Sequence, residues 1–175
     1  AWSTHTPVMH IAPHWNRKGD EGHAHLVWVN SNTDDVELFL NGRSLGRKKM
    51  PVNGHLEWRV NYEPGRLVAI GYRKGQKVVD EVETTGAPYR IKLSPSKEVL
   101  RADGEDAVVI NVAVEDKNGM EVPDATNMIS FDLTGTDARI IGVGNGDPSS
   151  HERDKDLDGA WHRKLFSGQA QLIIR

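Results

Sequence analysis

Glycines at positions 42, 54, 65 and 75, each closing a turn pair, restrict the fold of this 175-residue chain more than any other feature. Asn41-Gly42, Asn53-Gly54, Pro64-Gly65 and Lys74-Gly75 follow one another at intervals of ten to twelve residues. That interval holds one short strand and its turn, the spacing of a β-sandwich. The clearest unit is Val36-Glu-Leu-Phe-Leu-Asn-Gly-Arg-Ser-Leu-Gly46. Val36, Leu38 and Leu40 alternate with Glu37 and Phe39, the period of a strand with one face in a core. Asn41-Gly42 offers two positions tolerant of positive φ, as a type I′ hairpin requires. Arg43-Ser44-Leu45 begins the return strand, and Gly46 with Arg47-Lys48-Lys49 is expected to lead it away from the core.

The same pattern extends on both sides. Leu56, Trp58, Val60 and Tyr62 alternate with His55, Glu57, Arg59 and Asn61, a half-buried strand. Residues 66–72 and 77–84 supply two more strands. Residues 25–30 are apolar on both faces, which predicts a central strand with Trp28 in the core, and residues 8–12 form a short apolar segment. About seven strands thus fit between Val8 and Thr84, an immunoglobulin-like count. No segment reads as a helix.

Thr85-Gly86-Ala87-Pro88 reads as a linker, after which the strand pattern restarts. Strands are expected at residues 89–93, 107–115, 128–133, 138–143 and 169–174, with Val108, Ile110, Val112 and Val114 sharing a face. Residues 1–87 hold 11 basic and 10 acidic side chains and residues 88–175 hold 11 and 15, so the charge balance changes with the pattern. The expected organisation is all-β: two consecutive immunoglobulin-like β-sandwich domains, residues 1–86 and 87–175. The second shows fewer strands and stops in an apolar segment, where a sandwich would expose a sheet edge. It is therefore expected to be incomplete at its C-terminus, with a further strand to come.

Composition excludes several classes. The chain has no cysteine, hence no disulfide, zinc-thiolate site or thiol nucleophile. A net charge of −3 gives no footprint for nucleic acid. No apolar run nears the roughly 18 residues of a membrane span. The first residues lack a basic stretch followed by an apolar run, so no signal peptide is read here. The chain opens without an initiator Met, which suggests an excised or processed piece.

Four motifs invite a chemical reading. Asp154-Lys-Asp156-Leu-Asp158-Gly159 is like the first half of an EF-hand loop, but its twelfth position is Leu165 instead of a bidentate Glu. Asp154, Asp156 and Asp158 are weak metal candidates, and a solvated acidic loop is the preferred reading. Gly142-Val-Gly144-Asn-Gly146-Asp147-Pro148 looks like a phosphate loop, yet no helix opens after it and no lysine stands in the Walker position. A tight turn with positive φ at several residues is the preferred alternative. His10 with His14, and His23 with His25, lack a third ligand at metal-site spacing. Trp2, Trp15 and Trp161 lie in poorly patterned segments, where exposed indoles could meet a sugar or a neighbouring domain. No acidic pair stands on a catalytic motif, and no cofactor signature is present.

At Pro13-His14-Trp15-Asn16, at the hairpin of residues 36–46 and at Tyr62-Glu-Pro-Gly65, the first domain resembles a module of bacterial β-galactosidases of glycoside hydrolase family 2. There it lies after the catalytic barrel. Through Ala102-Asp-Gly-Glu-Asp106, Gly142-Val-Gly-Asn-Gly-Asp-Pro148 and Phe166-Ser-Gly-Gln-Ala-Gln171, the second domain is similar to the immunoglobulin-like module that follows it. The resemblance implies a C-terminal accessory fragment of a secreted or periplasmic glycosidase. It implies no cofactor and no catalytic residue in this chain, because the family's catalytic glutamates belong to the (β/α)8 barrel. The implied partners are that barrel and other domains of the same chain, with carbohydrate a further candidate. An independent carbohydrate-binding module and a cell-surface adhesion repeat are the alternatives.

Overall fold

A computed structural model describes residues 6–135, 137–155 and 160–175. Every regular element among them is a strand, and the chain divides into two compact units, Ala1–Thr84 and Thr85–Arg175. No helix is long and apolar enough to cross a membrane.

The first unit contains β1 (Met9–Ala12), β2 (Ala24–Ser31), β3 (Asp35–Leu40), β4 (Arg43–Lys49), β5 (Leu56–Asn61), β6 (Arg66–Arg73) and β7 (Gln76–Glu83). They form two antiparallel sheets, ordered β1-β2-β5 and β4-β3-β6-β7. Alternation in sequence becomes alternation in burial: Val36, Leu38 and Leu40 are buried from one sheet, and Leu56, Trp58 and Val60 from the other. Antiparallel sheets solvated on one face give this pattern.

The hairpin at residues 36–46 forms as its residues dictate. Leu40 pairs with Arg43 across a two-residue turn in which Asn41 (φ 51°) and Gly42 (φ 80°) are both left-handed, as a type I′ turn requires. The return strand differs from expectation. Leu45 and Gly46 together face Leu38 in a β-bulge, with Gly46 at φ 98°. The bulge restores register, so Arg47, Lys48 and Lys49 stay paired with Glu37, Val36 and Asp35. A basic, solvated edge strand of this kind resists pairing with other chains. Asn41 also fastens this turn to the next. Its Nδ2 donates to the Pro64 carbonyl (3.1 Å) and its Oδ1 accepts from the Arg66 amide (2.9 Å).

Strand β2 is central in its sheet, but only one of its faces is buried. Val27 and Val29 are in the core, whereas Trp28 is 43% exposed on the outer face, edge-on to His55. Placing Trp28 in the core is therefore corrected: an apolar run need not be buried on both faces when period two sends alternate residues outward.

The second unit contains β8 (Arg90–Pro95), β9 (Val108–Glu115), β10 (Met128–Phe131), β11 (Ile140–Gly144), β12 (Trp161–Lys164) and β13 (Gln169–Ile174). A four-stranded antiparallel sheet runs β11-β13-β9-β8, and β10 pairs with β12 in a second layer. Val112, Val114, Ile129, Leu165 and Ala170 form one apolar cluster, and Val108, Ile140, Val143, Leu172 and Ile174 form another. Strand β12 was not legible from the sequence. Its inward position is Arg163, which interrupts the apolar alternation by which a strand is recognised.

Candidate functional site

Trp15 stands in an irregular segment but is 1% exposed. Its ring meets Tyr62 edge-on at 5.1 Å, its Nε1 donates to the Glu63 carbonyl (3.0 Å), and its own carbonyl accepts from the Thr84 hydroxyl (2.7 Å). The expectation of a surface indole is corrected: Trp15 closes the core of the first unit, and its indole N–H finds the partner that burial demands. Trp161 is half-buried against the second unit's core. Trp2 lies outside the described residues. Trp15 and Trp161 therefore supply no exposed indole, and the exposed tryptophan among the described residues is Trp28.

In the second unit the polar motifs converge on Arg163. Its side chain is only 5% exposed, and it is reached from two segments, at Asn145 and at residues 152–154. Nη1 donates to the Glu152 carbonyl and to Asp154 Oδ1, both at 3.0 Å, and Nη2 donates to Asn145 Oδ1 at 3.1 Å. Glu152 also accepts from the Lys164 amide (3.1 Å), while Asn145 Nδ2 donates to the Lys164 carbonyl (2.9 Å). The planar guanidinium suits this task, since it presents several donors in a fixed fork. Sequence reasoning missed Arg163 and Asn145. The available signal was the period-two series Trp161, Arg163, Leu165, with a cation at an inward position.

This cluster reassigns two motifs. Residues 142–144 belong to β11, and within 142–146 only Gly146 has a left-handed φ (74°). The expected tight turn is thus confined to its second half, where Asn145 Oδ1 accepts from the Asp147 amide (3.0 Å). Asp154 is an anchor for Arg163, and its carbonyl accepts from the Val143 amide (2.9 Å). Asp156 and Asp158 lie outside the described residues. No group of three or more metal-ligating side chains occurs among the described residues.

Five acidic groups are held below their ordinary range, four by donors in or beside turns and Glu115 by two cations of the neighbouring strand β8. The Asp103 carboxyl is lowered by the amides of Glu105 and Asp106. Asp106 is lowered to about 2, first by Lys97 and then by the Arg101 amide. Glu115 is lowered by Arg90 and Lys92, Asp116 by the amides of Gly86 and Met120, and Asp147 by the hydroxyl and amide of Ser149. Donors that favour the anion act in the opposite sense to the burial that raises a general acid. Asp103, Asp106, Asp116 and Asp147 are acceptors that fix loops, and Glu115 fastens β8 to β9 through Arg90 and Lys92. The Asp116 Oδ2 bond to the Gly86 amide (2.8 Å) ties the start of the second unit to the turn after β9.

On the outer face of the four-stranded sheet lies an open hollow of about 520 Å³. Ser94, Asn111, Glu121, Asn145, Gln169 and Gln171 line it. Gln171 Nε2 donates to Asn111 Oδ1 (2.9 Å), and Gln169 Nε2 donates to Glu121 Oε2 (3.0 Å). Such a surface can exchange hydrogen bonds with a polar partner. Its amides are already partly satisfied by one another.

Comparison with known proteins accounts for this arrangement. Residues 22–79 match the model of a domain of unknown function, DUF4982, and residues 91–175 match glycoside hydrolase family 2 C-terminal domain 5. A β-galactosidase of Bacteroides ovatus, BoGH2A, is 39% identical over 98% of this chain, which covers 20% of that protein. A β-glucuronidase of Formosa agariphila is 32% identical over 82% of the chain, which covers 15% of it. The crystal structure of a family 2 glycosyl hydrolase from Bacteroides cellulosilyticus superimposes with a TM-score of 0.90 at 34% identity, over 99% of this chain and 26% of that one. The chain thus spans about a fifth of the length of the curated relatives it matches. By these matches the chain belongs to the C-terminal accessory region of glycoside hydrolase family 2 enzymes.

Proposed function

We propose that these 175 residues are a non-catalytic part of a longer family 2 glycosidase, two immunoglobulin-like domains that buttress its catalytic barrel. The observation that carries this reading is the coverage: nearly all of this chain aligns with only a fifth of a β-galactosidase. A (β/α)8 barrel alone takes about 250 residues, so catalytic machinery of that kind lies outside a segment of this length and fold. The domains are assigned as residues 1–86 and 87–175. The parent is read as a β-galactosidase acting on O-glycosyl bonds, because the β-galactosidase named above is more similar to this chain than the β-glucuronidase. The family resemblance supports a periplasmic or secreted parent. Other domains of the same chain are the partners, met by loops that Arg163, Asp106 and Asp116 hold in place.

Assay of the isolated chain on nitrophenyl galactosides and glucuronides tests the reading. No turnover is expected, and turnover abolished by changing one carboxylate would overturn it. The independent carbohydrate-binding module predicts a platform of exposed indoles, and burial of Trp15 weighs against it. Calorimetric titration with β-galactans separates the two: saturable heat favours the module, and its absence favours the buttress.

A further inference from the structure

The four-stranded sheet of the second unit turns one face inward, and its register fixes which residues share that face. Ile91 pairs with Val114, Leu93 with Val112, and Val112 in turn with Ala170. Val112, Val114 and Ala170 are at most 4% exposed. Ile91 and Leu93 are 51% and 58% exposed, although directly opposed pairs in a sheet point to the same side. Strand β8 therefore has the orientation of core and the exposure of surface.

The second layer explains why. It has two strands against four, and β12 packs beside β11, at the edge of the sheet farthest from β8. β10 comes next, with Ile129 in the cluster that holds Val112 and Val114. The layer ends there, before reaching β8. Its two margins also differ. The outer margin of β12 is sealed by Glu152 and Asn145, which bond the Lys164 amide and carbonyl. The Asn127 carbonyl accepts from the Leu165 amide (2.9 Å), so residues 127, 129 and 131 turn their backbone groups toward β12. The amides and carbonyls of Met128 and Ser130 then point to the outer margin of β10, beside the uncovered Ile91 and Leu93.

We propose that this margin and this apolar strip together form a strand-acceptor site. Its occupant is an extended segment of the same polypeptide, from outside these 175 residues. Added to β10, that segment would bond Met128 and Ser130 and lay alternate apolar side chains on Ile91 and Leu93. Strand addition draws affinity from main-chain bonds and specificity from alternate side chains. The source follows from length and linkage. The chain is about a fifth of its curated relatives, and a donor on the same chain acts at an effective concentration of about millimolar. The proposal rests on reading the chain as a region of a longer enzyme.

The test compares this chain with the longer natural polypeptide, using Leu93→Cys in each and maleimide labelling located by mass spectrometry. This chain has no cysteine of its own to compete. Amide exchange at Met128 and Ser130 is followed in the unsubstituted proteins, so a variant that fails to fold leaves one readout intact. Labelling and exchange are both expected to be at least about tenfold slower in the longer protein, from protection of a paired edge. Equal rates in the two proteins overturn the proposal. Slow labelling with fast exchange overturns the strand, since another domain's surface would then cover Leu93. Protection already present in the 175-residue chain overturns the source, as does protection that rises with concentration alongside a dimer mass. Glycoside turnover by the 175-residue chain would sink the accessory reading and leaves these rates unaffected.

Discussion

Replacing Arg163 by Met tests whether one cation organises the loops of the second unit. Methionine preserves the aliphatic length, so packing is nearly retained while three N–H···O bonds are lost. These bonds reach Glu152, Asp154 and Asn145. At a net value of about 1 kcal/mol each, their loss costs about 3 kcal/mol. The charge-assisted bond to Asp154 adds little beyond this, because the Asp154 side chain is 76% exposed and regains water when Arg163 is removed. Asp154→Ala removes the same ion pair from its solvated end and is expected to cost under about 1 kcal/mol. Asymmetry is therefore the prediction: Arg163→Met removes three bonds and Asp154→Ala only the most solvated of them, about a threefold difference. Urea unfolding of the whole chain, read by hydrogen exchange on peptides from residues 140–174, measures it within the second unit. Equal losses for the two variants, or no loss for Arg163→Met, would refute the role assigned to the buried guanidinium.

Trp15→Ala should destabilise the first unit by about 3–5 kcal/mol, the usual cost of deleting a buried aromatic, with exchange rising in peptides that contain Tyr62. Gly168→Ala should cost about 2 kcal/mol or more, since Gly168 has φ 74° and an added Cβ would lie 2.1 Å from the Val122 carbonyl oxygen. The second unit's urea midpoint is the measure. Asp106 titrates lower when folded than when unfolded, so its stabilisation is present above its ordinary value of 3.8 and fades as pH falls toward about 2. Lys97→Met removes the main cause of that shift. The stability gap between Lys97→Met and the unaltered chain should therefore narrow across that interval in acid-urea titrations, and a constant gap would contradict the assignment.

The first unit was legible because its turns and strands agree. Left-handed φ at Asn41, Gly42, Lys74 and Gly75 coincides with the pairs that spacing selects, and alternation at Leu56, Trp58 and Val60 matches burial. The failures have one physical origin. Periodicity says which residues share a face, but not whether anything covers that face. Trp28 looked internal and is solvated, Trp15 looked peripheral and is buried, and Ile91 and Leu93 point inward yet remain half-exposed. Arg163 was invisible for the converse reason, since a charge at an inward position becomes affordable only when distant residues supply its acceptors. No local pattern announces that Asn145 and Glu152 will be those acceptors.

The motifs that carry the family resemblance set turn geometry and anchor loops. In Phe166-Ser-Gly-Gln, Ser167 (φ 51°) and Gly168 (φ 74°) make the turn into β13, and Phe166 bridges to Gln169. The Gly168 amide donates to the Ala125 carbonyl and its carbonyl accepts from the Val114 amide, both at 3.0 Å. In Ala102-Asp-Gly-Glu-Asp, the Asp103 carboxylate accepts from the amides of Glu105 and Asp106, and Asp106 holds Lys97. In Tyr62-Glu-Pro-Gly, an added Cβ at Gly65 would lie 1.9 Å from Asn41 Oδ1, so side chain and turn are fitted to each other. Each motif needs its residue types for backbone conformation or for an acceptor that holds a loop, demands that do not depend on the sugar a relative is named for. That independence explains how relatives named for galactosidase and for glucuronidase activity can share this region. Exchanging this region between those two proteins is accordingly expected to leave each one's preference between nitrophenyl galactoside and glucuronide unchanged, and a switch in that preference would refute the reasoning.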